Sequence, residues 1–357
     1  GWQGGHPPIS EVMDIVTAGF EKQESPTAFS TKEWAEAKQR VIRNLKAARI
    51  GNLRPASYEH VVDDMRARDT LDSNSGIPAY ARRSLPDVKE EAVKDAQSGA
   101  WRSYAAIALF RFYNGKLRLV WMFPMSANLV EGTFVQPLMN AFVKSGYTFF
   151  TPWAGFEAVR TQVSAWYEQG GFIAASDFSS TDAHFRLEAT NEVADVLCAL
   201  FKPEYSEALR ESLTFMHTIP LIIGPDKMVT GEHGVSSGSN WTNLVETVFD
   251  LIFAEYVTQK SARQYRGAHT WVGMYGIGDD MSWQCDTFTP KFAKDLEQWG
   301  KEVGQIIKAE KTTNDKDKVK SLQRLFQRGY NREDGIIRAV YPTIRALNSS
   351  LHPERFH

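Results

Sequence analysis

Cysteine is nearly absent: the 357 residues contain two, Cys198 and Cys285. Two distant thiols make neither a disulfide framework nor a zinc site with closely spaced ligands, and they fit a reducing compartment. Long apolar runs are missing as well. No stretch approaches the roughly 20 residues of a membrane-spanning helix, and Met216–Gly224 is short and carries a histidine and a proline. There is no signal-peptide pattern, internal repeat or low-complexity segment. The chain opens Gly1-Trp2-Gln3-Gly4-Gly5 without an initiator methionine, so we expect a piece of a longer protein. Neither sign of charge dominates, the net charge being −2. That argues against a simple nucleic-acid-coating protein and requires any basic surface to be local.

What is present is material for a large core, 43% hydrophobic against 24% charged, enough for about two or three subdomains. Ser30-Thr31-Lys32-Glu33 reads as a capping box opening a helix to about Ala48, with Trp34, Ala37, Val41 and Leu45 on one face. Its basic residues, Lys38 to Arg49, read as a solvated face or one that meets phosphates. The stretch Leu71–Arg83 is a loop by composition, and its small residues followed by Arg82 and Arg83 equally suit a path for a polyanion. Residues 87–99 read as a solvated helix. Tyr104–Phe112 and Lys116–Trp121 read as strands joined at Asn114-Gly115, a strong hairpin signal. Lys116 and Arg118, two apart, share a face of the second strand, and Arg111 joins them across the hairpin. That face is a wet strand surface or a comb for a triphosphate.

A helix from about Trp153 to Gln169 is broken by Gly170-Gly171, after which Phe172–Asp177 reads as a buried strand. A helix then starts near Asp182, with Phe185, Ala189, Val193, Val196 and Leu200 at helical spacing. Asp182 serves as an N-cap in the plain reading. Asp177 ends an apolar strand and needs a partner, a cation or water. The loop His233–Asn243 feeds a long helix buried through Leu244, Val245, Val248, Phe249, Ile252 and Phe253. Next, Trp271–Ile277 and Met281–Cys285 read as hairpin strands around the turn Gly278-Asp279-Asp280. Glycine and aspartate are ordinary turn residues, yet this turn also lifts two carboxylates to where they hold a cation. Phe292–Lys308 reads as an amphipathic helix, Asn314–Lys320 as a solvated turn, and Ser321–Phe326 as a short strand or hairpin.

The ordered set resembles the palm and fingers of viral RNA-dependent RNA polymerases, over roughly residues 70–330. Asp177-x4-Asp182 is similar to the first palm motif, Ser237-Gly238-x3-Thr242 to the second and Gly278-Asp279-Asp280 to the third. Lys311 in Ala309-Glu310-Lys311-Thr312 sits where the family has its fourth-motif lysine, and Ser321-Leu322-Gln323-Arg324 is a weaker match to the fifth. Lys116-Leu117-Arg118-Leu119-Val120 is similar to the basic fingers motif, and Ser75-Gly76-Ile77-Pro78 to the template-entry motif. The local flavour looks most like picobirnaviruses, with partitiviruses as the nearest alternative; both are double-stranded RNA viruses.

The resemblance implies an α+β right-hand polymerase fold: an antiparallel palm sheet packed on helices, helical and mixed fingers, and a truncated thumb. It divides the chain into an N-terminal region with fingers (1–150), palm (151–186), fingers insertion (187–232), palm (233–333) and the start of the thumb (334–357). It implies template-directed RNA synthesis, with Asp177, Asp279 and Asp280 on two Mg2+ ions (Mn2+ as substitute) and Lys311 as general acid. Lys116 and Arg118 then hold the triphosphate, while Asp182, Ser237, Gly238, Thr242 and Asn243 surround the nucleotide and its 2′-hydroxyl. Ser75, Gly76 and Pro78 line the template path. Picornavirus-like members carry an asparagine four residues after the second-motif threonine, where this chain has Glu246. The implied partners are template and nascent RNA, ribonucleoside triphosphates and viral capsid protein, in the virion interior and host cytoplasm. Lys311 also reads as an exposed lysine on a charged turn. The competing classes are an inactive RNA-binding or capsid-associated module, which needs no paired acids, and a reverse transcriptase.

Overall fold

The computed structural model describes residues 9–67, 73–113 and 115–340. Asn114 of the proposed turn, Leu71 and Asp72 of the loop, and residues 341–357 lie outside them. In chain order the elements are α1 (Ile9–Phe20), α2 (Lys32–Ala47), α3 (Tyr58–Ala67), α4 (Pro86–Ser98), β1 (Ala106–Tyr113), β2 (Lys116–Met122), α5 (Met125–Ser145), α6 (Phe156–Glu168), β3 (Phe172–Asp177), α7 (Thr181–His184) and α8 (Leu187–Leu200). There follow α9 (Ser206–Thr218), β4 (Leu221–Gly224), β5 (Lys227–Val229), α10 (Thr242–Gln264), β6 (Val272–Ile277), β7 (Asp280–Cys285), α11 (Phe292–Glu302), β8 (Thr313–Asn314), β9 (Lys318–Ser321), β10 (Arg324–Asn331) and β11 (Ile337–Val340). They form two compact units. One draws on residues 1–24, 52–139 and 181–242, the other on 25–51, 140–180 and 243–357.

The first unit is built on a four-stranded sheet of order β2-β1-β4-β5. β1 and β2 pair antiparallel from Ile107↔Met122 to Tyr113↔Lys116, and β1 runs parallel to β4. Trp101, Ala106, Trp121, Phe123, Leu129 and Leu221 form its apolar centre. On the usual scale of apolar burial, each large side chain contributes about 1.5–3 kcal/mol.

The second unit carries an antiparallel sheet of order β6-β7-β3-β8 and a smaller one of order β11-β10-β9. β3 alternates as a strand buried on both faces must. Ile173 and Ala175 pack with Val159, Val163 and Tyr167 of α6 and with Val319, Phe326 and Ile337. On the other face the Ser176 hydroxyl accepts from Trp283 Nε1 at 2.9 Å, the Phe178 ring meets Phe249 and Phe253 of α10, and the Trp283 ring meets Phe253. α2 buries Trp34, Ala37, Val41 and Leu45, the face read from spacing.

Several local expectations shift. Thr31, not Ser30, caps α2, accepting from Trp34 N–H at 3.3 Å. The helix expected from Asp182 is two: α7 stops at His184, and Arg186 takes an extended backbone before α8. There the Arg186 guanidinium donates to the carbonyls of Ala183 and Ala18. α11 ends at Glu302 rather than Lys308, at the left-handed Gly304. Part of the expected solvated turn is strand β9, which pairs with β10 around Leu322 and Gln323, both at positive φ.

Candidate functional site

β3 and β7 bring the acids of the second unit together. Asp177, the last residue of β3, stands directly across from Asp280, the first of β7. Phe178 N–H donates to the Asp279 carbonyl at 3.2 Å, drawing the turn against the end of β3. The turn proper is Gly278-Asp279, since Ile277 already pairs with Asp280. Gly278 has φ +58°, a conformation glycine adopts without strain. Its N–H donates to Thr247 Oγ1 at 2.9 Å, and the Thr247 hydroxyl donates onward to the Asn243 carbonyl at 2.7 Å. A Cβ at Gly278 would stand 3.0 Å from Asn243 Oδ1; one at Gly276 would stand 2.8 Å from the Phe149 ring and 3.2 Å from Asp250 Oδ2. The two glycines let the hairpin lie directly on α10.

The carboxyl of Asp177 is raised above its ordinary range by lost hydration, a push opposed by Lys311 and Lys320. Lys311 is exposed at the end of the 3-10 turn 309–311. Lys320 is the second cation facing Asp177, a residue that the sequence reading had assigned to a solvated turn. Asp250 was missed outright. It is fully buried, neither carboxyl oxygen has a hydrogen-bond partner, and burial followed by Glu246, Asp279 and Asp280 raises its pKa well above normal. The signal was available: Asn243, Glu246, Thr247 and Asp250 fall at helical spacing on an otherwise apolar helix. Among the described residues no three acidic, histidine or cysteine side chains form a ready-made metal cage. Magnesium is ordinarily held by one or two carboxylates plus substrate phosphates and water, so the hard oxygens of Asp177, Asp279 and Asp280 fit it.

The first unit gathers the other predicted residues. Arg111 and Arg118 are direct cross-strand partners, with Lys116 two positions along, and all three are exposed. They form one comb. Asp182, in α7, is pushed up by its crowded surroundings and held down by Arg118. Solvent reaches it, so that push is modest. A Cβ at Gly234 would fall 1.7 Å from the Asp182 carbonyl, which fixes the loop against α7. Ser237 Oγ accepts from Trp121 N–H at 3.1 Å, and a Cβ at Gly238 would stand 1.9 Å from the Trp121 carbonyl. The second-motif loop is thereby laid along the comb strand. The Thr242 hydroxyl donates to the Ser236 carbonyl at 2.6 Å. Asn243, assigned to the second unit, faces Gly278 there.

Of the template-path residues, Pro78 is exposed, whereas Ser75 is buried, accepting from Ala81 N–H and tied through its carbonyl to Met125 N–H. Arg83 differs from the expected polyanion contact. It is buried, donating to the carbonyls of Asn74 and Phe123 and to Asn128 Oδ1, while Arg82 remains exposed.

The fold is of the right-hand polymerase class. The fold matches the crystal structure of the RNA-dependent RNA polymerase of a human picobirnavirus with a TM-score of 0.73 at 23% identity, covering 95% of this chain and 64% of that one. An insertion-loop deletion mutant of such an enzyme matches at 0.72, also at 23% identity, covering 95% of this chain and 66% of that one. The model of the viral RNA-dependent RNA polymerase family matches residues 113–343, and the chain belongs to that family. It is 26% identical to a "Potential RNA-dependent RNA polymerase" of Human picobirnavirus, over 98% of this chain and 66% of the relative's length. It is 24% identical to an "RNA-directed RNA polymerase" of Cryptosporidium parvum virus 1, over 55% of this chain and 38% of that protein. The chain thus spans just under two thirds of the picobirnavirus relatives. No described helix is long and apolar enough to cross a membrane.

Proposed function

We propose that this chain performs template-directed RNA synthesis, transferring nucleotides from ribonucleoside triphosphates to an RNA 3′-hydroxyl with release of pyrophosphate, in genome replication and transcription of a double-stranded RNA virus. The observation that supports this most is Asp177 opposite Asp280 beside the Gly278-Asp279 turn, remote acids meeting at one sheet end. Asp177, Asp279 and Asp280 would hold two Mg2+ ions, with Mn2+ as substitute. When bound, the metal supplies Lewis-acid activation of the hydroxyl and charge neutralisation at the phosphates. The comb of Arg111, Lys116 and Arg118 grips the triphosphate as charge-assisted donors suit phosphate oxygens. Lys311 gives its proton to the departing pyrophosphate, and Asp182, Ser237 and Thr242 read the 2′-hydroxyl that marks a ribonucleotide. Pro78 and the loop around Ser75 and Gly76 border the template. RNA and ribonucleotides are the partners in this reading; capsid protein and a location inside the virion and the host cytoplasm follow from the same kinship.

The test is magnesium-dependent incorporation of labelled ribonucleotides on a short RNA primer–template. Asp279→Ala should abolish addition while leaving folding and most RNA binding in place. Near-parental synthesis by that variant would remove the proposed centre.

A further inference from the structure

Three remote segments of the first unit meet at a chain of buried polar groups that joins the second-motif loop to side chains of no motif above, Asn128 and Glu131. Arg83 reaches from the template-entry loop, with Nε on the Asn74 carbonyl at 3.1 Å and Nη2 on Asn128 Oδ1 at 2.7 Å. Asn128, in the first turn of α5, spends its amide on two acceptors, Glu131 Oε1 at 2.9 Å and the Gly238 carbonyl at 3.0 Å. Its own carbonyl accepts from Asn240 Nδ2 at 3.1 Å. Glu131, one turn further along α5, accepts from Asn240 N–H at 2.9 Å on Oε1 and from the Ser239 hydroxyl on Oε2. Asn128 and Glu131 are 2% and 3% exposed, which removes water as a substitute partner. Ser237 and Gly238, at the other end of this loop, lie on Trp121 of the comb strand.

A fully satisfied network of this kind fixes a single arrangement, because every alternative leaves a buried polar group unpaired. The two ends of the loop bearing Ser237 are held elsewhere, Ser236 by the Met216 carbonyl and the Thr242 hydroxyl and Ser237 by Trp121 N–H, and its middle is held by α5. Glu131 supplies the acceptors for two consecutive residues of the loop, Ser239 and Asn240. No sequence pattern announces this, since Glu131 lies on a helix whose periodicity is blurred by burial.

We propose that Glu131 is the positioning residue that sets the ribose-reading loop against the template-entry loop, so that discrimination between ribonucleotides and 2′-deoxyribonucleotides depends on it. The proposal rests on the polymerase reading and deepens it. Glu131 touches no substrate; it acts through Ser239, Asn240 and, by way of Asn128, Gly238 and Arg83.

The test compares the parent with Glu131→Ala, Glu131→Gln and Ser239→Ala. The readout is the ratio of kcat/KM for GTP over dGTP on one RNA primer–template, with equilibrium binding of the two nucleotides as a second readout. Glu131→Ala should lower the ratio at least tenfold, mainly through the KM for GTP. Ser239→Ala, which deletes the bond to Glu131 and the acceptor of Trp241 N–H but leaves the apolar core intact, should lower it about threefold. Glu131→Gln keeps an acceptor for Asn240 and lets the Ser239 hydroxyl turn round, so it should restore the ratio to within threefold of the parent.

A merely structural role reduces the active fraction and leaves the ratio untouched, because the ratio is independent of how much protein is active. If Glu131→Ala fails to fold, Ser239→Ala decides. A chain that makes no RNA yet loses ribose preference in binding through these variants would sink the polymerase reading and keep this one. Unchanged ratios in both readouts overturn the proposal.

Discussion

Asp250 holds a carboxyl group where neither oxygen is hydrogen bonded and no solvent reaches it. An ionised carboxylate there would face Glu246, Asp279 and Asp280 without an offsetting cation, so the folded protein keeps the group protonated far above the usual carboxylate range. The linkage has a definite sign. A folded pKa above the unfolded one stabilises at low pH, and that stabilisation is lost as pH rises toward the folded value. Asp250→Asn, neutral at every pH and nearly isosteric, should therefore match the parent within about 1 kcal/mol at pH 4, near the unfolded carboxyl value, and exceed it at pH 9. Denaturant midpoints at the two pH values check this. Equal losses in parent and variant on going to pH 9 would mean that Asp250 is ionised throughout.

Between elements, the contact to test is α10 against the β6–β7 turn. Thr247 accepts the Gly278 N–H and donates to the Asn243 carbonyl, so one hydroxyl links the first turn of the helix to the turn that carries Asp279. Thr247→Val keeps the shape and leaves a half-buried N–H without its acceptor, at a cost of about 1–3 kcal/mol. We expect stability to fall by that amount and single-turnover incorporation to slow about tenfold or more, with Thr247→Ser restoring both. A rate equal to the parent per active molecule would show that the turn holds its place without the helix.

This same region marks how far the sequence could be read. The β3 strand, the hairpin and the buried face of α2 announce themselves because each has one dominant period and a strong boundary residue. Elsewhere the signal fails for physical reasons. α5 is buried nearly all round through Phe134, so no apolar stripe stands out, and Pro137 within it argues falsely for a break. The stop between α7 and α8 is set by Arg186 donating to distant carbonyls, which local propensity does not encode. Asp177 and Asp279 were legible as acids out of place. Glu131 and Arg83 were not, because a charged residue reads as surface until its partners are known.

For the molecule as a whole, the small net charge conceals opposed buried titrations. Burial lifts Glu131 to about 7, despite hydrogen bonds from Ser239, Asn240 and Asn128 and the nearby Arg83, and it lifts Asp250 further from its ordinary value. Burial also depresses His217 to about 3 and lowers His233. The first pair stabilises the fold as pH falls; the second destabilises it below the ordinary histidine value, where the unfolded chain takes up protons that the folded one refuses. Asp177, Asp182 and Glu255 are also raised, but solvent reaches all three and they contribute less. Between roughly pH 4.5 and 6.5 the two carboxyls are opposed by His217 throughout and by His233 in the same direction, each active group worth about 1.4 kcal/mol per pH unit, so the parent's pH dependence should be shallow. Above that window the histidines are silent, and stability should decline as Glu131 and then Asp250 ionise. Glu131→Gln removes one carboxyl from the balance. Relative to the parent, its stability should then fall by about 1.4 kcal/mol per unit as pH drops through the same window. Unfolding free energies at half-unit steps would show it, and two parallel profiles would mean that Glu131 keeps its charge when folded.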